Sequence, residues 1–129
     1  MNPDLQQIKK AVRGLKYMSE SFYPFKVIQL PTNQDSIEQK LQKLAGSNSQ
    51  PVLEITFAFF FQYLTQIDDN QDEEERKTAL RFRQLRDVLL QKLKNIKVYK
   101  LGQVEVSVFI IGELSDGTLG GLRTTSIET

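Results

Sequence analysis

The most regular pattern in this chain of 129 residues is an apolar stripe in its second half. Five apolar residues recur there at intervals of 3, 4, 4 and 3, namely Phe82, Leu85, Leu89, Leu93 and Ile96. Residues spaced in this way lie on one face of an α-helix, and that face then packs on a core. The pattern therefore predicts a long helix over residues 75–95 with one buried face.

Strand-like segments follow the long helix at short intervals. They cover residues 98–101, 104–111 and 118–127, and they are separated by Gly102-Gln103 and by Ser115-Asp116-Gly117. Glycine and aspartate favour the backbone conformations of tight turns. The three strands are therefore predicted to form an antiparallel meander.

The first half of the chain predicts helices and strands in alternation. The predicted elements are a helix over 4–16, a strand over 25–30, a helix over 36–45 ending at Gly46, a polar loop over 47–50 and a strand over 52–55. The apolar run 57–64 fits a buried helix or a strand, because periodicity does not separate the two for so short a run. Its phenylalanines are predicted to be core residues rather than the lining of a ligand pocket; they are Phe57, Phe59, Phe60 and Phe61.

The order of these elements indicates the fold class. Helices and strands alternate early and strands cluster late, which is typical of an α+β fold with helices packed on a mainly antiparallel sheet. A chain of this length buries enough surface to fold without disulfides. We expect a single domain over residues 1–129.

The composition excludes most kinds of catalytic and metal site. The chain has no cysteine, histidine or tryptophan. It therefore cannot build a disulfide framework, a zinc site from Cys or His, or a Ser-His-Asp or Cys-His arrangement. An enzyme that works with carboxylates such as Glu105 and Glu113 is the least favoured interpretation.

Charge and apolar content argue against nucleic acid and membranes as partners. Lys and Arg number 17 against 16 Asp and Glu, so the formal net charge is +1. Nine basic residues lie between positions 76 and 100, but they scatter around the predicted helix without aromatic residues interleaved for base stacking, which favours a solvated face. The start lacks the pattern of a signal peptide, and the longest apolar run, 57–61, is too short to span a bilayer. We expect a cytoplasmic protein that binds neither nucleic acid nor membrane directly.

Acidic residues dominate the segment just before the long helix. Six of the eight residues from 68 to 75 are Asp or Glu, the strongest local charge in the sequence. Acids at the start of a helix interact favourably with the positive end of its dipole. Recognition of a basic partner would use the same residues, so the sequence leaves both interpretations open.

A lone carboxylate lies between the predicted first helix and first strand. Glu20 is the only formal charge in residues 18–25, and serines flank it in Met18-Ser19-Glu20-Ser21. Serines at such junctions hydrogen-bond to backbone groups. From the residues alone, a polar turn with a solvated Glu20 is the simpler interpretation.

Three blocks of the sequence resemble the nuclease A inhibitor family. They are GLKYMSESFYPFKV at 14–27, VYKLGQVEVSVFIIG at 98–112 and DGTLGGLRTTSIET at 116–129. The resemblance covers nearly the whole chain and is loose between residues 31 and 68. It implies a cytoplasmic inhibitor that occludes the active site of a non-specific, magnesium-dependent DNA/RNA endonuclease, built as a three-layer α/β/α sandwich. It implies no catalysis, cofactor or metal site of its own, and we expect a monomer when the protein is free.

The resemblance also implies which residues contact the nuclease. They would be Glu20, Asp69, Asn70 and Thr129, with Glu20 and the terminal carboxylate of Thr129 approaching the partner's Mg²⁺. Carboxylates suit this role, because Mg²⁺ prefers oxygen ligands and cations that bind phosphate also bind carboxylate. Asn70 stands where the family pattern has Trp, and Phe22 stands where an acid can occur. The alternative is therefore a non-catalytic binding or adaptor domain of the same fold with a different partner.

Overall fold

The computed structural model describes residues 2–46 and 50–128. Four α-helices lie within these ranges: α1 (Pro3–Ala11), α2 (Ile37–Ala45), α3 (Phe57–Leu64) and α4 (Glu73–Lys92). Seven strands lie between and after them: β1 (Lys16–Met18), β2 (Phe22–Pro24), β3 (Lys26–Gln29), β4 (Val52–Ile55), β5 (Lys94–Leu101), β6 (Glu105–Glu113) and β7 (Leu119–Ile127). Strands β1 and β2 form a hairpin, and the other five form an antiparallel sheet in the order β3-β7-β6-β5-β4. The mixed content and the antiparallel sheet confirm the α+β prediction. The predicted polar loop over 47–50 lies outside the described residues except for Gln50.

The long helix exists, but it begins two residues earlier and ends three residues earlier than predicted. It begins after Asp72, whose carboxylate accepts a hydrogen bond from the Glu75 N–H, while the Glu75 side chain accepts one from the Asp72 N–H. It ends at Lys92, because Leu93 is already extended and Asn95 has a positive φ of 53°. The apolar repeat runs past this point, since Leu93 and Ile96 pack on the same core as the helix stripe. The predicted end at residue 95 is therefore wrong.

The C-terminal meander is confirmed. Strand β6 pairs with β5 on one side and with β7 on the other, both antiparallel. The first turn requires Gly102, which has a φ of 122° and where a Cβ would lie 2.5 Å from the Glu105 carbonyl oxygen. In the second turn the Asp116 carboxylate accepts hydrogen bonds from both the N–H and the hydroxyl of Thr118.

The first helix also ends early, and a hairpin follows it. Helix α1 stops at Ala11 instead of residue 16, because Gly14 adopts a φ of 74° and turns the chain into β1. The β1–β2 hairpin was not predicted, since two strands of three residues each are too short to show periodicity. Helix α2 is confirmed, with a Ser36–Gln39 capping box and a left-handed Gly46 at its end.

Two apolar clusters form the core. One contains Val108 and Ile110 of β6 together with buried residues of α1 and α4, and the other contains Phe109 and Ile111 together with Leu41 of α2. Successive side chains of a strand point to opposite faces, so the clusters lie on opposite faces of the sheet.

Helix α3 resolves the ambiguous apolar run. Thr56 caps its start by accepting a hydrogen bond from the Phe59 N–H. The core prediction is correct for Phe60 and Phe61, which are buried, and wrong for Phe59, which is exposed. None of the helices in the described part of the chain is both long and apolar enough to cross a membrane.

Candidate functional site

Glu20 lies at the tip of the β1–β2 hairpin. Tyr17 pairs with Tyr23 and Met18 with Phe22, and Ser19-Glu20-Ser21 forms the connection. The Ser19 N–H donates to the Ser21 carbonyl at 2.9 Å, which closes the turn. The Tyr17 ring anchors the hairpin by stacking on Phe60 with 5.4 Å between ring centroids. The predicted polar turn is therefore present, but it joins two strands, and it leaves Glu20 exposed to solvent.

Hydrogen bonds from two residues of the last strand hold the hairpin against it. The Ile127 N–H donates to Ser19 Oγ at 2.9 Å, and Thr124 Oγ1 donates to the Pro24 carbonyl at 3.0 Å. The first bond joins the residue next to Glu20 to the C-terminal end of β7. The turn that carries Glu20 and the C-terminal end of β7 are therefore neighbours.

The last described residue is fixed in place. The Glu128 N–H donates to the Val104 carbonyl at 2.8 Å, and the Glu128 carboxylate lies 2.6 Å from Lys100 Nζ. Partial burial raises the pKa of Glu128, but hydrogen bonds from Lys100 and Ser126 outweigh it and leave the pKa below its usual value. Thr129, a residue that the sequence predicts to contact the partner, lies outside the described residues.

The acidic segment divides into a helical part and a loop part. Asp72 caps α4, and Glu73, Glu74 and Glu75 occupy its first turn. Lys77 adds ion pairs with Glu73 and Glu74 at 3.7 and 3.9 Å. These four acids therefore lie where they interact favourably with the helix dipole. The other two acids of the segment, Asp68 and Asp69, lie in the loop before the helix.

The loop before α4 is held by hydrogen bonds. The Asn70 N–H donates to the Asp68 carboxylate at 3.0 Å, and the side-chain NH₂ group of Gln71 donates to the Gln66 carbonyl at 2.8 Å. Arg76 donates to the carbonyl oxygens of Asp68 and Asp69, each at 3.5 Å. Asp69 and Asn70 are exposed on this loop. Their side chains are thus presented to solvent from a backbone that α4 supports.

A groove of about 550 Å³ separates the hairpin from this loop. Met18 and Phe22 line it from the hairpin, and Gln71 and Asp72 line it from the loop and the start of α4. Tyr63, near the end of α3, lines it as well. The structure thus brings the segments of Glu20 and Asp69, which are far apart in sequence, to two sides of one groove.

Two arginines of α4 donate hydrogen bonds to the ends of other helices, which the sequence did not predict. Arg81 donates to the carbonyls of Ala11 and Arg13 at 3.2 and 2.9 Å, just where α1 ends. Arg83 donates to the Thr65 carbonyl at 2.8 Å, at the end of α3. Helix C-termini carry unsatisfied carbonyls and partial negative charge, so these cations stabilise them.

Glu105 and Glu113, the carboxylates that a catalytic function would use, lie far apart. Glu105 begins β6 and Glu113 ends it. Eight residue-to-residue steps along the strand separate them by about 27 Å at roughly 3.4 Å per step. A pair of carboxylates at this separation cannot act on one bond, because paired acids work within about 10 Å of each other.

A family model described as nuclease A inhibitor-like protein matches residues 2–129. The chain belongs to the nuclease A inhibitor-like family. A search of curated proteins found no match. Membership in the nuclease A inhibitor-like family indicates a protein that inhibits a nuclease, and hence a nuclease as its protein partner.

Several residues around Glu20 were missed by reasoning from the sequence. The serine hydroxyls were expected to bond to backbone, but not the pairing of Ser19 with the distant Ile127 N–H. Also missed were the contact of Lys100 with the Glu128 carboxylate and the groove lining of Met18, Phe22 and Tyr63. One signal was available, because Lys16-Tyr17-Met18 and Phe22-Tyr23-Pro24 flank a three-residue polar segment, a pattern that can indicate a hairpin. The contacts across the fold had no local signal.

Proposed function

We propose that this protein inhibits a non-specific, Mg²⁺-dependent DNA/RNA endonuclease by occupying its active site with carboxylates in place of substrate phosphate. The observation that best supports the proposal is the hydrogen bond from the Ile127 N–H to Ser19 Oγ. It joins the turn of Glu20 to the end of β7. Glu20 therefore lies at the same end of the molecule as Ile127, the last residue of β7.

The proposed chemistry follows from the preferences of Mg²⁺. This ion takes oxygen ligands and, in nucleases, leaves positions open for phosphate oxygen and water. A carboxylate supplies a hard anionic oxygen of the same kind. It also forms charge-assisted hydrogen bonds with the Arg and Lys side chains that such enzymes direct at phosphate.

Each proposed contact residue has a separate role. Glu20, at an exposed hairpin tip, is directed at the Mg²⁺ of the nuclease or at the Arg and Lys side chains around it. The α-carboxylate of Thr129 is proposed to reach the same region, following on from Ile127 and Glu128. Asp69 and Asn70 contact the nuclease from the opposite side of the groove.

We further propose a single domain with helices on both sides of the sheet, a three-layer α/β/α arrangement. Support comes from β6, whose alternating residues belong to two clusters, one shared with α1 and α4 and the other with α2. A cytoplasmic location and a monomeric free state complete the proposal. Catalysis, a cofactor and a resident metal ion are not part of it.

Titration into nuclease assays tests the proposed function. Each of a panel of purified Mg²⁺-dependent, non-specific endonucleases digests plasmid DNA while the protein is added in increasing amounts. Activity should fall to zero near one inhibitor per enzyme and should recover as the DNA concentration is raised. A metal-independent ribonuclease, assayed on RNA, is the control enzyme and should keep its activity. Binding to a nuclease without loss of its activity would favour the adaptor alternative instead.

A further inference from the structure

Three exposed apolar side chains surround the groove between the hairpin and α4. Met18 and Phe22 are each 63% exposed, and Tyr63 is 73% exposed. Met18 and Phe22 are cross-strand partners, so they stand side by side directly below the turn that carries Glu20. Large apolar side chains grouped around one groove are typical of interaction sites.

The groove floor is continuous with the core. Leu15, Ala79 and Phe82 line it, and all three are buried members of the folded interior. The volume of about 550 Å³ lies in the range of clefts that enclose a small molecule or a group of side chains. An apolar group that enters the groove would therefore contact apolar surface on its floor and on both walls.

The groove lining holds three acidic and three basic residues, and the segments beside the groove add further acids. Asp72, Glu74 and Glu75 line it, and the turn of Glu20 and the loop of Asp69 lie on its two sides. The three cations of the lining are Lys16, Lys77 and Arg81. Lys77 pairs with Glu73 and Glu74, and Arg81 donates to the carbonyls of Ala11 and Arg13. The acids on the segments beside the groove, Glu20 and Asp69, therefore complement an apolar group that has basic neighbours.

We propose that this groove seats an apolar side chain, flanked by Lys or Arg, from the rim of the phosphate-binding cleft of the nuclease. The proposal rests on the proposed function and names the non-ionic part of the same interface. A nuclease cleft gathers cations for phosphate, which matches the acidic sides of the groove. Buried aromatic contacts commonly provide most of the affinity of an interface, whereas exposed charge pairs provide mainly rate and specificity.

Paired variants on one helix test the groove. Tyr63→Gln removes a groove side chain, and Phe59→Gln is its control, because Phe59 is 58% exposed on the same helix but outside the groove lining. A second pair uses strands: Phe22→Thr in the groove, and Leu53→Thr on β4, where Leu53 is 61% exposed. Thermal midpoints of all four variants show whether each one folds.

The inhibition constant is measured against the panel of endonucleases at low and at high NaCl concentration. Tyr63→Gln and Phe22→Thr should each raise it about tenfold or more, and by the same factor at both salt concentrations, because an apolar contact is not screened. Both controls should stay within about twofold of the wild type.

The outcomes separate this inference from the proposed function. If the wild type inhibits and the two groove variants inhibit equally well, the groove is not part of the interface, although the proposed function stands. If the wild type inhibits no endonuclease of the panel, the proposed function and the groove proposal both fail. If the wild type sediments as a dimer and Phe22→Thr as a monomer, the groove holds a second copy of the chain, and the proposal is overturned.

Discussion

Glu20 is the residue on which the proposed inhibition most depends. Replacing it by Gln keeps the size of the side chain and removes its charge. The inhibition constant should rise by about 30-fold or more, because loss of one member of a buried charge pair costs about 2–5 kcal/mol. The measurement is a titration of nuclease activity, with the thermal midpoint determined in parallel.

Glu113→Gln provides the matched control for Glu20. Glu113 is exposed and pairs with Leu119 at one end of β6, whereas Ile127, the neighbour of the Glu20 turn, pairs with Glu105 at the other end. Loss of a charge at that far end should leave inhibition unchanged. Equal inhibition by Glu20→Gln and the wild type would remove Glu20 from the interface.

Ser19 is a positioning residue in this scheme, since its hydroxyl joins the Glu20 turn to β7. Ser19→Ala removes the acceptor of the Ile127 N–H. A hydrogen bond of this kind contributes about 1 kcal/mol, so the inhibition constant should rise about fivefold. In the free protein, hydrogen exchange of the Ile127 amide should accelerate.

Two further variants test whether loss of the Ser19 hydroxyl causes the weaker inhibition and the faster amide exchange. Ser19→Thr retains the oxygen and should restore both the slow exchange and the inhibition. Ser21→Ala is the control, because it leaves the Ser21 carbonyl that accepts from the Ser19 N–H. Exchange of the Ile127 amide that is as slow in Ser19→Ala as in the wild type would show that this bond does not hold the hairpin.

At the scale of elements, two variants in the acidic segment test helix stability and partner binding separately. Asp72→Ala removes the capping carboxylate of α4, which should cost about 1 kcal/mol and lower the thermal midpoint by about 3–5 °C. Asp69→Asn, in the loop, should leave the midpoint nearly unchanged and weaken inhibition. Thermal unfolding and the nuclease titration, applied to both variants, check the two roles. The reverse assignment would follow if Asp69→Asn lowered the midpoint and left inhibition intact.

The sequence predicted elements well where the pattern was long. The stripe from Phe82 to Leu89 and the three C-terminal strands extend over enough residues for their periodicity to be unambiguous. The ends of helices and strands were predicted less well, because apolar residues of a helix and of the strand that follows it can pack on the same core. The apolar spacing then continues past the end of the helix. Leu93 and Ile96 continue the helical spacing and pack on the same cluster from outside α4.

The candidate site was predicted only in part. The family resemblance drew attention to Glu20, Asp69, Asn70 and Thr129, but their spatial relations depend on contacts between distant residues. Ser19 and Ile127 are 108 positions apart, and no local pattern encodes such a pairing. The groove was missed for a similar reason, since Phe22 and Tyr63 belong to different elements and each alone resembles a core residue.

At the scale of the whole molecule, a formal net charge of +1 provides no long-range attraction to a basic partner. Recognition must therefore come from the local arrangement of charge. Arg81 and Arg83 contribute to recognition indirectly, because they hold the ends of α1 and α3 on α4. These contacts support both sides of the groove. Inhibition is expected to depend on the relative positions of these elements more than on any total charge.

The proposed convergence of Glu20 and the Thr129 carboxylate is a property of the whole fold, and it can be tested by moving one of the two groups. One glycine added after Thr129 shifts the terminal carboxylate by about 3.5 Å. This shift exceeds the tolerance of a Mg²⁺–oxygen bond of about 2.1 Å, so inhibition should weaken by an amount comparable to that of Glu20→Gln. One glycine added before Met1 is the control and should have no effect.

Combining the extension with Glu20→Gln shows whether the two anions act together. Groups that approach one metal centre share partners, so their effects on the free energy of inhibition should not add, with a deviation of about 0.5–3 kcal/mol. Strict additivity would mean that the two groups contact separate parts of the nuclease. Full inhibition by the extended chain would exclude the terminal carboxylate altogether and leave Glu20 as the only anion directed at the metal.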